Sequence, residues 1–274
     1  MKKIFTWLTV IALLCCFGEL SAQESGSGTA TAFRPGAGMF SVEVSYGKTN
    51  TVMLDYDYVP VSVTNGNETA QRWVMPYPVG VNLDQASDVF SVRGRYYVQD
   101  RIAARVNLAY SMTHVPGNDG MAGVFTDGQT LIPNIASTDE HFSRNFIFEG
   151  GAEYNFTTSV SRLVPYVGAS FNFTYNNMDI TEVPGFYYDG TEIVMEEPDF
   201  GTRALSVMGW GGSIVAGADY YFAEGFFVGA EFKAGNFMVY KSDALPMPGA
   251  STAEAYTEQL DFISQPSIRV GFTF

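Results

Sequence analysis

The chain has 274 residues, of which 46% are hydrophobic and 15% aromatic, and its 29 acidic residues outnumber 15 basic ones to give a formal net charge of −14. This acidic excess disfavours nucleic acid as a partner, because a phosphate backbone attracts basic surfaces. The only cysteines, Cys15 and Cys16, lie near the N-terminus, so the rest of the chain holds no disulfide, thiol nucleophile or cysteine-based metal site.

The first 22 residues have the pattern of a cleavable secretory signal peptide. Lys2 and Lys3 precede the apolar run 4–17, and Ala22 closes a short polar stretch. Lipidation at the cysteine pair is the alternative, but a small residue should precede a lipidated cysteine, and a leucine and a cysteine stand there instead. Residues 23–36 are small and polar and are predicted to form a flexible periplasmic segment. Residues 37–274 suit a single all-β domain.

Eight segments then alternate apolar and polar residues with the period of a β-strand. Their ranges are 37–48, 88–98, 102–113, 143–156, 164–176, 204–222, 226–238 and 263–274. Three short turns alternate with four long segments between them, which predicts tight hairpins on one side only. Gly209, Gly211 and Gly212 could place a bulge in the sixth strand, and Pro266, which removes a ladder donor, is expected at a bulge or near the outer end of the last strand.

Three of the long segments contain a hairpin signal. Asn-Gly at 65–66 and Asp-Gly at 127–128 and 189–190 predict ribbons over 59–75, 124–132 and 186–195. The alternative is a flexible loop that happens to hold such a dipeptide. Most acidic residues fall in the four long segments, so the end of the molecule that carries them is predicted to be acidic.

Charge placement indicates which face of the strands points inward. The apolar face carries almost no charge between the strand ends, as lipid contact requires, because Lys or Arg at the bilayer midplane costs ~2–4 kcal/mol. A soluble barrel would show the reverse arrangement. The polar face carries five residues of each sign: Glu43, Glu149, Glu153, Asp219 and Glu231 against Arg93, Arg95, Arg105, Lys233 and Arg269.

These ten charges predict a packed interior, because an eight-stranded barrel is just wide enough to be filled by side chains and a buried charge requires a partner. Five glycines on the same face leave an alternative open, in which the interior holds water and the charges line or gate a narrow pore. They are Gly151, Gly168, Gly217, Gly229 and Gly271.

The last twelve residues, ISQPSIRVGFTF, end on an aromatic residue after alternating apolar positions at Ile268, Val270, Phe272 and Phe274. This pattern resembles the closing strand of bacterial outer-membrane β-barrels, and the whole strand plan is similar to the small barrels of the OmpA transmembrane, OmpX and OmpW group. The resemblance implies an eight-stranded antiparallel up-and-down transmembrane barrel with long extracellular loops, integral to the outer membrane. It also implies contact with outer-membrane lipid and lipopolysaccharide, and recognition of the last strand by the barrel assembly machinery. The residues up to Phe274 show no match to the peptidoglycan-binding domain of full OmpA, so tethering of the cell wall is not expected.

Two constellations could carry chemistry beyond the fold. Carboxylates in the third long segment could bind Ca²⁺, although they lack EF-hand spacing and acidic surface loops are usually solvated. These weak candidates are Glu192, Glu196, Glu197 and Asp199. Some small outer-membrane barrels modify lipid A with His and Ser, which draws attention to His141 with Ser143 or Ser111 and Asp139. Strand parity turns these side chains inward, away from lipid, so an enzyme is not expected, nor is a cofactor.

The expected function is therefore a structural or surface-interaction role for a filled barrel with acidic protruding loops. A narrow channel for small or apolar solutes, as in OmpW-like proteins, is the alternative, and a lipid A-modifying enzyme is a remote one. A continuous water path past Arg93, Glu149 and Arg269 would favour the channel.

Overall fold

The computed structural model of the protein describes residues 33–50, 59–65, 68–74, 86–121, 123–126, 129–132, 137–181, 183, 185–188, 193–196, 201–245, 248–249 and 251–274. The predicted signal peptide, residues 23–32 and the carboxylates at 192, 197 and 199 lie outside these ranges, as does the side chain of Glu196. No helix in the described ranges has the length and apolar character to cross a membrane.

All the regular secondary structure of the described residues is β-strand, joined by turns and irregular segments. The strands are β1 (Phe40–Asn50), β2 (Val59–Asn65), β3 (Glu68–Val74), β4 (Ala86–Gln99), β5 (Ile102–Val115), β6 (Val124–Thr126), β7 (Gln129–Ile132), β8 (Glu140–Asn155), β9 (Leu163–Thr181), β10 (Gly185–Tyr188), β11 (Ile193–Glu196), β12 (Thr202–Ala223), β13 (Phe226–Leu245), β14 (Ala253–Asp261) and β15 (Ser264–Thr273).

Strand pairing closes the sheet into an eight-stranded antiparallel barrel. Neighbours run in the order β1, β4, β5, β8, β9, β12, β13 and β15, and β15 returns to pair with β1. Closure removes free sheet edges, as a membrane-crossing barrel requires. The predicted fold class is thus confirmed, and the short turns and both described chain ends lie at one end of the barrel.

The three ribbons predicted from Asn-Gly and Asp-Gly are also confirmed. Separate two-stranded antiparallel sheets form from β2 with β3, β6 with β7, and β10 with β11, each flanking its dipeptide. They continue the plan of long excursions at the end opposite the short turns.

The fourth long segment, in which the sequence showed no hairpin signal, also forms a ribbon. In the structure β13 continues to Leu245, and β14 pairs with its outer half through the register Asn236 with Asp261 to Ala244 with Ala253. No Asn-Gly or Asp-Gly marks this turn, so the pattern that found the other ribbons could not find this one. The neighbour of β13 is therefore β15 at the short-turn end of the barrel and β14 at the opposite end.

Register shifts occur within β13 and β15 and beside the short turns that follow β4 and β12, but not at the glycines of the sixth predicted strand. Residues Gly209–Gly212 of β12 pair with β9 without a shift. The register with β12 shifts at Ala234, because Val215 pairs with Lys233 and Ile214 with Gly235. Inward positions in β13 consequently change from odd to even numbers above this point. Pro266 lies at a second irregularity, as expected, where β13 and β15 change register between Glu231 and Lys233.

The N-terminal segment contacts the barrel where it is described. Phe33 packs against a buried cluster of Val164, Tyr221 and Phe227, and the Arg162 guanidinium lies 4.4 Å from the centre of the Phe33 ring. The amide of Gly38 donates to the Tyr97 carbonyl at 2.8 Å. The last residues of the predicted flexible segment therefore pack under the short-turn end of the barrel.

Candidate functional site

The barrel interior is the candidate functional site, because all ten charged residues predicted to face inward lie there. None is more than 6% exposed. Alternation along the strands positions them, since every second side chain of a closed barrel points to the axis. Five positive and five negative groups give the interior no net formal charge, and the buried ions balance each other by contact.

Glu231 is the most heavily bonded carboxylate of the interior. Arg93 and Arg105 each donate two hydrogen bonds to it over 2.8–2.9 Å, a bidentate geometry that strengthens a buried ion pair. The Tyr166 hydroxyl donates a further bond at 2.6 Å, and Arg269 donates one at 3.4 Å. One carboxylate on β13 thus bonds side chains from four other strands across the lumen.

A second group of ion pairs lies beside this one. Asp219 accepts from Arg95 at 2.8 Å and from Arg269 at 2.5 Å. Arg95 also donates to Glu153 at 2.9 Å and pairs closely with Glu43. Since Arg269 bonds both Asp219 and Glu231, the two groups form one continuous network, and removing any member leaves partners in a low-dielectric interior without compensation.

Glu149 and Lys233 form a separate pair on the outer side of this network. The Lys233 ammonium lies 2.5 Å from Glu149 Oε1, and Asn107 donates to the other carboxylate oxygen at 3.4 Å. This pair therefore has fewer partners than the arginine network beneath it.

The inward glycines do not leave room for water, contrary to the alternative drawn from the sequence. A Cβ atom on Gly229 would lie 2.1 Å from Asp219 Oδ1, and one on Gly271 would lie 2.4 Å from the Phe227 ring. On Gly217 it would lie 2.2 Å from the Tyr166 hydroxyl. These glycines are needed because larger side chains already fill the space in front of them.

An aromatic layer lies beneath the charge network, toward the short-turn end. Tyr97, Tyr221 and Phe227 are at most 1% exposed, and the last two rings pack with centroids 5.1 Å apart. The Arg95 guanidinium lies 5.0 Å from the Phe227 ring, within the range of a cation–π contact. With Phe33 packed from below, this layer closes the lower mouth of the described barrel.

Amide and hydroxyl side chains line the interior above the network. Asn172 donates to Asn236 at 3.0 Å and to Ser213 at 3.1 Å, and Ser170 contacts Ser213 at 2.8 Å. Two small cavities, of about 50 and about 20 Å³, reach Glu149 and Lys233 from this side, and the larger one also touches Arg93 and Glu231 of the network. A single water needs roughly 10–15 Å³ by such a measure, so these cavities fit only a few waters.

The sequence reasoning missed Tyr166 and the aromatic layer. The fifth predicted strand has Val167 and Ala169 on its outward face, so alternation already put Tyr166 on the inward face. An aromatic residue at an inward position was the available signal, but only the charged residues of the inward face were considered as candidates.

The His141 candidates are not joined by hydrogen bonds in the described residues, and the side chains of the metal candidates Glu192, Glu196, Glu197 and Asp199 lie outside them. Thr113 faces Ser143, and Val115 faces His141, across the β5–β8 pair. Within the described ranges no hydrogen bond joins His141 to a serine or an aspartate side chain. Asp139 instead lies 3.7 Å from Arg203, which was predicted in a loop but is buried in β12. No group of three metal-ligating side chains is found among the described residues.

The apolar residues predicted for the assembly signal point outward on β15. Ile268, Val270 and Phe272 are 61%, 44% and 49% exposed. The Phe274 ring lies 5.7 Å from that of Phe40, and the backbone amides of Phe40 and Phe274 donate to each other's carbonyls. The last residue thus closes the lower end of the seam between the first and last strands.

Comparison with known proteins places this architecture in a family. Similar solved structures include the outer-membrane protein OprG of Pseudomonas aeruginosa, with 13% identity, 88% of this chain and 98% of that chain covered, and a TM-score of 0.46. The N-terminal β-barrel domain of OprF from the same organism is 14% identical over 88% and 100% of the two chains, with a TM-score of 0.29. Ail, the attachment invasion locus protein of Yersinia pestis, is 9% identical over 87% of this chain and 99% of its own, with a TM-score of 0.35.

No curated protein matches the chain. The model of the OmpA-OmpF-like porin family matches residues 79–274, which is well over half of the chain and includes all barrel strands except the first. This closed barrel, with its outward apolar face and internal ion pairs, therefore belongs to the OmpA-OmpF-like porin family of outer-membrane β-barrels.

Proposed function

We propose that the protein is a closed outer-membrane barrel with a structural or surface-interaction role, and that it does not conduct solutes. The observation that carries this proposal is the continuous blockage of the lumen by the ion-pair network on its aromatic floor. A passing solute would have to separate Glu231 from Arg93, Arg105 and Arg269. Breaking one buried pair costs roughly 3–5 kcal/mol, and several would have to open together.

The four ribbons at the outer end support the surface-interaction part of the proposal. The ribbons project outward, beyond the lumen of the barrel. A paired ribbon is more ordered than a flexible loop, and this order has an entropy cost that a simple connection between strands would avoid. On β13 and β14, Lys241 contacts Asp243 at 3.0 Å and Glu254 at 3.2 Å. These hydrogen bonds raise the pKa of Lys241 and hold the ribbon together.

A narrow channel is the second candidate. It is favoured by the polar cavities that reach Glu149 and Lys233 from the outer side, since this pair is bonded less than the network below. In that case the arginine network would act as a gate that must rearrange before solute passes.

Cells that lack the protein distinguish the two candidates. We would compare them with cells making the wild type and with cells in which residues 59–74 are replaced by a short glycine-serine turn. The closed-barrel proposal expects equal uptake of small hydrophilic solutes in all three, and loss of surface attachment in the ribbon variant. Solute uptake that falls only when the barrel is absent would reject the proposal in favour of the channel.

A further inference from the structure

A groove of about 820 Å³ lies on the outer wall beside the seam between β1 and β15. Its small residues are Ala216 and Ala218 of β12 and Ala230 of β13, and its large ones are Tyr46, Phe232 and Ile268. The register places Ala218 opposite Ala230, Ala230 opposite Ile268, and Ile268 opposite Tyr46. A row of side chains that is small on one side and large on the other therefore crosses four strands, and the wall is recessed where the alanines lie.

The backbone beside the groove is irregular for an identifiable reason. Pro266 has no N–H to donate to the hydrogen-bond ladder. Gln265 has a φ of 51°, a backbone conformation that residues other than glycine rarely adopt. The ladder between β13 and β15 is consequently interrupted between Ser267 and Ser264. Gly47 is required opposite this point, because a Cβ atom there would lie 2.6 Å from Ser267 Cβ.

Lys48 supplies the only basic side chain among the residues that line the groove. It lies near the outer end of β1, opposite Asp88 in the register. Asp88 accepts a hydrogen bond from the Tyr46 hydroxyl. Within the described part of the chain, Lys48 forms no ion pair, so its exposed ammonium is available to an anionic group at the outer edge of the apolar wall.

We propose that this groove binds one acyl chain of lipid A, with a lipid A phosphate on Lys48. The volume falls within the ~300–1,000 Å³ of pockets that hold small ligands, and apolar side chains dominate its lining. The cation lies at the outer end, so the head group of the occupant must face outward. A phosphorylated lipid of the outer leaflet meets this requirement, whereas an inner-leaflet lipid would present its head at the end without a cation. At its inner side the groove is also lined by Tyr166, Gly217 and Glu231 of the interior, whereas the lipid proposed here lies against the apolar residues of the outer wall.

Native mass spectrometry of the refolded protein with purified lipid A tests the proposal. Ala218→Trp would fill the groove, and Ala152→Trp is the matched control, since Ala152 faces outward on β8 opposite Ala104 and Ala169. We expect one saturable lipid A in the wild type and the control, and loss of that adduct in Ala218→Trp. Folding of each variant is verified by its heat-dependent gel mobility.

A second variant tests the phosphate contact. Lys48→Met should weaken the binding of phosphorylated lipid A about fivefold, the effect of one basic residue near an anionic surface, and leave dephosphorylated lipid A unchanged. Equal lipid binding by Ala218→Trp and Ala152→Trp would mean that the groove holds only ordinary surrounding lipid, and would overturn the proposal. Equally strong saturable binding of a free fatty acid would overturn it too, by identifying a different occupant.

Discussion

Replacing Glu231 with alanine should destabilise the barrel more than any single substitution on its outer surface. The carboxylate accepts two hydrogen bonds from each of Arg93 and Arg105, one from Tyr166 and one from Arg269. Its removal leaves three guanidiniums at most 3% exposed with a net interior charge of +1. An orphaned buried charge costs roughly 3–5 kcal/mol, which corresponds to a factor of roughly 10²–10⁴ in the unfolding equilibrium.

Equilibrium unfolding of the refolded protein in urea-containing lipid vesicles measures this effect. Glu231→Gln keeps the shape and one acceptor oxygen, so it should cost less than the alanine variant. Glu258→Ala on exposed β14 is the control and should change the free energy of unfolding by less than about 0.5 kcal/mol. A cost below about 1 kcal/mol for Glu231→Ala would refute the reasoning, because it would mean that water already solvates these guanidiniums.

Further substitutions check the other parts of the account. Gly229→Ala should cost roughly 1–3 kcal/mol by overpacking the network, whereas the outward Gly212→Ala, with its nearest neighbour 3.6 Å away, should be nearly neutral in the same assay. Phe33→Ala should speed proteolysis of the N-terminal segment, because that ring packs on the barrel's aromatic layer. The ribbon of β13 and β14, which Lys241 bonds together, should resist an alkaline-active protease at pH values up to the ordinary lysine pKa. It should be cleaved faster as the pH rises through the raised pKa of Lys241, whereas the Lys241→Met ribbon should be cleaved fast at every pH. His141→Ala should leave the lipid A acylation pattern of the cell unchanged.

The barrel could be predicted from the sequence because two periodic signals agreed. Period-2 alternation located all eight strand positions, and the opposite placement of apolar and charged residues showed which face points inward. Strand parity then assigned residues to one face or the other, so Arg93 and Glu231, which are 138 positions apart, were both assigned to the interior. Their mutual contact could not be predicted, because it depends on how far the strands are staggered around the barrel.

Other features lay beyond such reasoning for physical reasons. The bulge at Ala234 reverses parity within one strand, and no residue type there enforces it. The β13–β14 ribbon lacks the Asn-Gly or Asp-Gly signal of the others. The role of Gly229 and Gly271 was inverted, because a glycine in sequence is compatible both with empty space and with a large neighbour. Only the packing of Asp219 and Phe227 against them decides between the two.

Single-channel conductance of the refolded protein in a planar bilayer tests the central claim, that ion pairs close the barrel. The wild type is compared with Arg93→Ala and Glu149→Ala, and folding of each is verified independently. The account predicts a silent wild type, with brief openings confined to the two variants, which disrupt the network (Arg93→Ala) or the Glu149–Lys233 pair above it (Glu149→Ala). Steady wild-type openings whose conductance changes with either substitution would contradict it and make the interior a charged pore.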